Sequence, residues 1–229
     1  MAVDKELYEF HFGSLKGWEN FDEKLDQPIE NCCVMAMDFC SYSAFVRETS
    51  NISLAHRMLS AFCDGARDIL IESGALVDRV QGDGLLAVWG VHEEVDAANV
   101  LSVAAKIHKL AKETAKIWQD SIDRVIETQG ARIGLSYGPV TLLSLPSAYP
   151  GFSLLSEIVN LAARLEARAD PGTVFMTNRF ENLLPFALQK DCTSLSDEDG
   201  QRGLKLKNVG RVQAFKWAPK ENTEDDTNI

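Results

Sequence analysis

Cysteine pairs, positive charge and long apolar runs are all scarce in this 229-residue chain, and each shortage closes off a class of function. The five cysteines (Cys32, Cys33, Cys40, Cys63 and Cys192) are odd in number, and none belongs to a C-x-x-C pair. They suit small hydrophobes in a reducing compartment, not a disulfide framework or a thiolate zinc site. His11, His56, His92 and His108 form no metal spacing either. No apolar stretch approaches the roughly 18–20 residues that span a bilayer. The N-terminus, MAVDKELYEFHFGSLKGW, carries acids where a signal peptide wants basic and then apolar residues. The reading is a soluble, cytoplasmic protein. Lys and Arg number 23 against 34 Asp and Glu, a net charge of −11. A field of that sign repels nucleic-acid backbone and anionic membrane. Any phosphate-bearing ligand must therefore be captured locally, by a few basic groups or by metal.

What is present is 45% hydrophobic residues, enough for a sizeable core. Residues 1–29 alternate polar and aromatic without a period and read as an arm, with Tyr8, Phe10, Phe12 and Trp18 packed against the main domain or against a partner protomer. Residues 30–218 read as one domain and 219–229, PKENTEDDTNI, as a disordered acidic tail. The run from Cys32 to Phe39 is apolar on both faces, as a central strand would be. Spacings of three and four predict helices over 54–73, 93–119 and 156–168, the last opened by Ser156 and Glu157. Ala75–Val80 and Leu85–Trp89, split by Gly82-Asp83-Gly84, predict a hairpin. Ala131–Tyr137 and Val140–Leu145 predict a second strand pair turning at Gly138-Pro139. Thr173–Thr177 is a further strand, and Leu204–Lys207 pairs with Val212–Trp217. The order β-α-β-β-α-β predicts an α+β fold, an antiparallel-rich sheet with helices on one face.

Two acids stand where chemistry is usually placed. Asp38 closes the most buried strand, and Asp83 sits at a hairpin tip between glycines. In a βαββ unit these neighbours can converge, and converging carboxylates bind hard cations such as Mg²⁺ or Mn²⁺. Taken alone, Asp83 is equally a good turn residue. Asn160 and Arg164 are four apart and share a helix face, where an amide and a guanidinium suit ribose and phosphate. The plainer alternative pairs Arg164 with Glu157 or Glu166.

These residues lie in motifs that resemble the class III nucleotidyl cyclase catalytic domain over roughly residues 32–217. VMAMDFCSYSAF is similar to the first metal segment, and ALVDRVQGDGLLAVWG to the second. ARIGLSYGPV resembles R-I-G-L-H-x-G-x-V, and IVNLAARLEARA resembles V-N-L-A-A-R-L-E. All four stand in family order. The resemblance implies a ferredoxin-like βαββαβ core that forms a head-to-tail homodimer with active sites at the interface. Asp38 and Asp83, with the carbonyl of Phe39, would hold two Mg²⁺ or Mn²⁺ ions. Backbone N–H groups of Cys40, Ser41, Tyr42 and Ser43 would receive the triphosphate, and Lys207 its terminal phosphates. From the other protomer, Asn160 would orient the ribose and Arg164 would stabilise the charged phosphate.

The base pocket departs from the family. Arg79 stands where adenylyl cyclases carry a base-reading Lys, and Ser153 where they carry Asp or Thr. Arg offers only donors, which suit the carbonyl oxygens of a pyrimidine, and its bulk disfavours purines. Alternatively Arg79 turns to solvent or pairs with Asp78. Tyr42 either narrows the pocket or packs as a phenylalanine would. The expectation is a cyclase for UTP making cyclic UMP, with ATP and CTP as alternative substrates. Stand-alone bacterial pyrimidine cyclases of the Pycsar anti-phage systems share this short, rewritten form. A degenerate, nucleotide-binding dimerisation module is the non-enzymatic alternative.

Overall fold

A computed structural model describes residues 21–40, 42–49, 51–123, 125, 130–145, 152–197 and 199–220, without the side chains of residues 78–81. The aromatics of the N-terminal arm (Tyr8, Phe10, Phe12 and Trp18), Ser41, the Arg79 side chain and the tail from residue 221 lie outside the described residues. A short helix α1 (Phe21–Lys24) leads into β1 (Pro28–Phe39), and Phe21 is wholly buried against Phe152. From Cys32 to Met37 every residue of β1 is buried, as its two-faced apolar run requires. Two helices come next, α2 (Tyr42–Glu48) and α3 (Ile52–Glu72). The Asn51 side chain caps α3 by accepting from the Leu54 amide.

The hairpin β2 (Leu76–Gln81) and β3 (Gly84–Trp89) turns through Gly82-Asp83. Gly82 takes a left-handed φ of +64° at the first turn position, where a II′ turn needs glycine. Helix α4 (Ala97–Gln119) starts three to four residues later than its spacing predicts. Asp96 accepts from the amides of Ala98 and Asn99 and so fixes the start. After β4 (Ala131–Ser144) and β5 (Phe152–Leu155), Ser156 caps α5 (Glu157–Glu166) by accepting from the Ile158 amide. Then come β6 (Thr173–Thr177), the single turns α6 (Asn178–Glu181) and α7 (Phe186–Gln189), β7 (Thr193–Ser194), β8 (Leu204–Leu206), β9 (Gly210–Val212) and β10 (Ala214–Trp217).

The main sheet runs β2-β3-β1-β4-β6-β10-β7, with β5 on the far half of β4. Only β4 and β6 pair in parallel among the described strands. The first four strands thus stand in ferredoxin-like order, and the α+β expectation holds. Three local expectations do not. Gly138-Pro139 makes no turn: β4 is continuous, and β1 bulges opposite it at Glu30 and Asn31. The bulge sits where Pro139 has no N–H to give. The final pair is also split at Gln213, whose carbonyl accepts from the Asn178 amide. As a result β9 folds back on β8, and β10 joins β6.

The helices, finally, occupy both faces of the sheet. Phe39 stacks on Phe62 of α3 at 4.2 Å and lies 4.4 Å from Trp118 of α4. Trp118 in turn stacks on Phe45 of α2. Asp38 and Ala36 alternate to the other face, under α5. There α5 lies directly on β4. A Cβ on Gly134 would collide with the carbonyl oxygen of Ala162 and the amide nitrogen of Glu166. Nearby, the Ser136 hydroxyl donates to the Ile158 carbonyl at 2.5 Å.

Gly134→Ala is therefore expected to destabilise the domain by about 1–3 kcal/mol or more, read from the urea unfolding midpoint. A second expectation concerns His108, which is buried on α4 with no hydrogen-bond partner for either ring nitrogen among the described residues. Burial, aided by Lys112, pushes its pKa down to about 4. Stability from the neutral ring is complete above pH about 6.5 and drains away as the pH falls toward 4, because the unfolded chain takes the proton that the fold refuses. His92, also pushed down to about 4 by burial, adds the same sign. Replacing His108 by Leu should flatten the loss of stability between pH about 6.5 and about 4.

Candidate active site

The sheet brings the two predicted carboxylates together. Asp38 is directly opposite Gly84 in the β1–β3 ladder, and the Phe39 amide donates to the Asp83 carbonyl at 3.1 Å. The hairpin tip is thereby tied to the end of β1. Burial raises the Asp83 pKa, and the neighbouring Asp38 carboxylate raises it further. Two acids that penalise each other's charge form a donor set suited to a hard cation. Among the described residues no cluster of three or more His, Cys, Asp and Glu stands in a metal-holding arrangement. The pair needs other oxygens to complete a coordination shell.

A cation is already present beside Asp38. Arg132, its cross-strand partner on β4, donates from Nη2 to the Asp38 carboxylate. On its other side, Arg132 Nε lies 3.2 Å from Glu166 Oε1 at the end of α5, without hydrogen-bond alignment. Burial works against the Arg132 cation, but the hydrogen bond to Asp38 and the charges of Asp38 and Glu166 outweigh it and raise its pKa. Glu166 is pushed up to about 7, first by burial and then by Asp38, with Arg132 acting the other way. Sequence reasoning assigns neither Arg132 nor Glu166 a site role. The available signal is a charged residue inside a buried strand, which demands a partner.

The remaining predicted residues are spread around this cluster. Asn160 is exposed on α5 and lines a groove of about 330 Å³ with Ala36, Asp38, Leu86 and Glu166. Arg164 is exposed one turn on, and Glu166, one of the partners weighed for it, meets Arg132 instead. The Phe39 side chain is fully buried, which leaves only its backbone for a site role. Cys40 donates its amide to the Gly130 carbonyl at 2.9 Å, so the expectation that this N–H receives phosphate is not met here. Tyr42 and Ser43 open α2, whose first amides have no partner within the helix.

Tyr42 leans on Trp118 with ring centres 5.7 Å apart. Burial, then Asp83, raises the phenol's pKa. Ser153 lies on β5 opposite Leu143, and Lys207 is exposed just after β8. Neither belongs to the described lining of the groove. The backbone of Arg79 pairs with Leu86, directly after a bulge at Asp78.

The sequence profile of the "Adenylate and Guanylate cyclase catalytic domain" family matches residues 25–212. The chain belongs to that family. This cyclase domain is 24% identical over 169 residues to the receptor-type guanylate cyclase gcy-8 of Caenorhabditis elegans; the match takes in 70% of this chain and 14% of that protein. Its fold matches the adenylyl cyclase CyaB from P. aeruginosa with a TM-score of 0.69 at 17% identity, over 86% of this chain and 97% of the other. The guanylate cyclase domain of RhGC from Catenaria anguillulae, solved with GTP, matches with a TM-score of 0.68 at 22% identity, over 85% and 100%. No helix among the described residues is long and apolar enough to cross a membrane.

Within the cyclase domain the groove is bounded by the Asp38 strand on one side and the Asn160 helix on the other. Its volume lies at the small end of ligand pockets, which run from roughly 300 to 1,000 Å³. Replacing Asp38 by Asn should release Arg132 and lower the Asp83 pKa, since one of the charges holding it up is gone. Carboxyl NMR titration of Asp83 would check this.

Proposed function

We propose that this cyclase domain converts a pyrimidine nucleoside triphosphate, UTP first, into the 3′,5′-cyclic nucleotide and pyrophosphate. The observation that carries the chemistry is the juxtaposition of Asp38 and Asp83, held by the ladder pairing of Asp38 with Gly84 and by the Phe39 amide on the Asp83 carbonyl. Mg²⁺ or Mn²⁺, two ions held by Asp38, Asp83 and the Phe39 carbonyl, would supply charge neutralisation at the phosphates and a more acidic 3′-hydroxyl. The chain's own residues do the rest. Asn160 orients the ribose, and Arg164 meets the charge that builds as the 3′-oxygen attacks the α-phosphorus in line. Tyr42 and Ser43 offer amides to the triphosphate, and Lys207 reaches its far end.

The cyclase resemblance implies a homodimer, in which a second copy supplies its Asn160 and Arg164 to this chain's aspartates. For the base, the support is positional. Arg79 is paired with Leu86, a residue of the groove wall, and stands where the family reads the base. Ser153 would act with it. A cyclic pyrimidine product would serve as a second messenger, the antiviral signalling role that the resemblance implies.

Purified protein with Mn²⁺ and each of ATP, GTP, CTP and UTP, analysed by mass spectrometry, tests the reading. Cyclic UMP is the expected product, and cyclic AMP alone would make Arg79 no discriminator. No product from any substrate would favour a nucleotide-binding module. Arg164→Ala is expected to lower kcat by about 10²–10³-fold. Asp83→Asn should remove turnover by more than about a hundredfold while sedimentation shows the dimer intact.

A further inference from the structure

The guanidinium of Arg132 stands between two carboxylates that differ in kind. Asp38 accepts its Nη2 hydrogen bond and is one of the two acids proposed to hold metal. Glu166 belongs to α5, touches Nε at 3.2 Å, and makes no hydrogen bond with its Oε1 among the described residues. The three side chains are only partly open to solvent, at 35% for Arg132, 24% for Asp38 and 15% for Glu166. Water is thus a poor substitute for either partner, and an Arg132 displaced from Asp38 must take its charge somewhere close. Glu166 is the acceptor already within reach, with an unused oxygen. The backbone contact at Gly134 holds it there.

We propose that Arg132 is a positioning residue that occupies Asp38 until metal arrives, and that Glu166 is the receiver onto which it moves. This inference rests on the reading of Asp38 and Asp83 as metal ligands. Metal and guanidinium compete for the same Asp38 oxygens. Apparent metal affinity therefore equals the intrinsic affinity multiplied by the fraction of molecules in which Asp38 is released. Glu166 raises that fraction by stabilising the released arrangement. The opposite arrangement, with Arg132 on Asp38, keeps the strand end paired and the site closed to stray cations.

The device predicts effects of opposite sign from two residues of one ion-paired cluster. Mn²⁺ binding to the full chain, measured by the loss of the free-ion EPR signal without nucleotide, reads them independently of turnover. Arg132→Met is expected to bind Mn²⁺ about tenfold more tightly, because competition for Asp38 is gone. Glu166→Gln is expected to bind about tenfold more weakly. The double variant decides how Glu166 acts. If it acts through Arg132, the double variant binds as Arg132→Met does. An equal loss from Glu166→Gln in both backgrounds would mean that its charge acts on the metal directly, and the proposal fails.

Arg132→Met with unchanged or weaker binding also overturns the proposal, provided its circular dichroism is that of the parent. Should that variant not fold, Arg132→Lys replaces it. Lys lacks the separate Nε and Nη2 that face the two carboxylates, so its compact ammonium bridges them less well and should leave the Glu166→Gln loss smaller than in the parent. Asp83→Asn separates the gating role of Arg132 from the metal assignment beneath it. Binding by the parent that Asp83→Asn abolishes, with Arg132 and Glu166 variants unaffected, sinks this inference alone. Parent binding that Asp83→Asn leaves intact sinks the metal assignment as well, as does a parent that binds no Mn²⁺.

Discussion

At Gly134 the backbone of α5 rests on the backbone of β4 with no side chain between them. That contact sets the distance from the last turn of α5 to the end of β1, and so decides which charges can meet. Glu166 reaches Arg132 because of it, and Asn160 looks across at Asp38 and Leu86. A larger residue at position 134 would collide with the backbone of α5 and push it off β4. The electrostatics of the site are thus a consequence of packing, and the packing hangs on the absence of one methyl group.

On the other face the same strand is held by aromatic rings. Phe39, Phe62, Trp118 and Phe45 form a continuous chain of ring contacts that joins β1 to α3, α4 and α2. Adjacent residues of one strand therefore do opposite work: Phe39 is wholly buried in the core, while Asp38 carries charge into the groove. The dispersion and burial on one side anchor a backbone that must hold an acid in an unfavourable setting on the other. The Phe39 amide adds a direct tie to Asp83.

Much of this is legible in the chain itself. The three long helices announce themselves by spacing, and Ser156 marks its helix start because a cap is a local device. β1 is readable because a strand buried on both faces needs apolar residues throughout. The continuity of β4 is not, since Gly138-Pro139 looks the same at a turn and opposite a bulge; the difference lies in Glu30 and Asn31, more than a hundred positions away. β5, four residues long, is too short to show a period. The two aspartates stand out because each sits at a strand end or turn tip with its own signature. Arg132 and Glu166 escape notice because their meaning is pairwise, and 34 positions of chain separate them.

The bulge at Asp78 has a further consequence. Among the described strands β2 is the outermost at its end of the main sheet, bonded within it to β3 alone, and the bulge breaks its register between Val77 and Arg79. The centre of the sheet does not depend on how that rim is filled. The bulged end of β2 can change while β1 and its acids stay fixed. The start of the same strand is anchored, since Leu76 and Val77 are buried in the core.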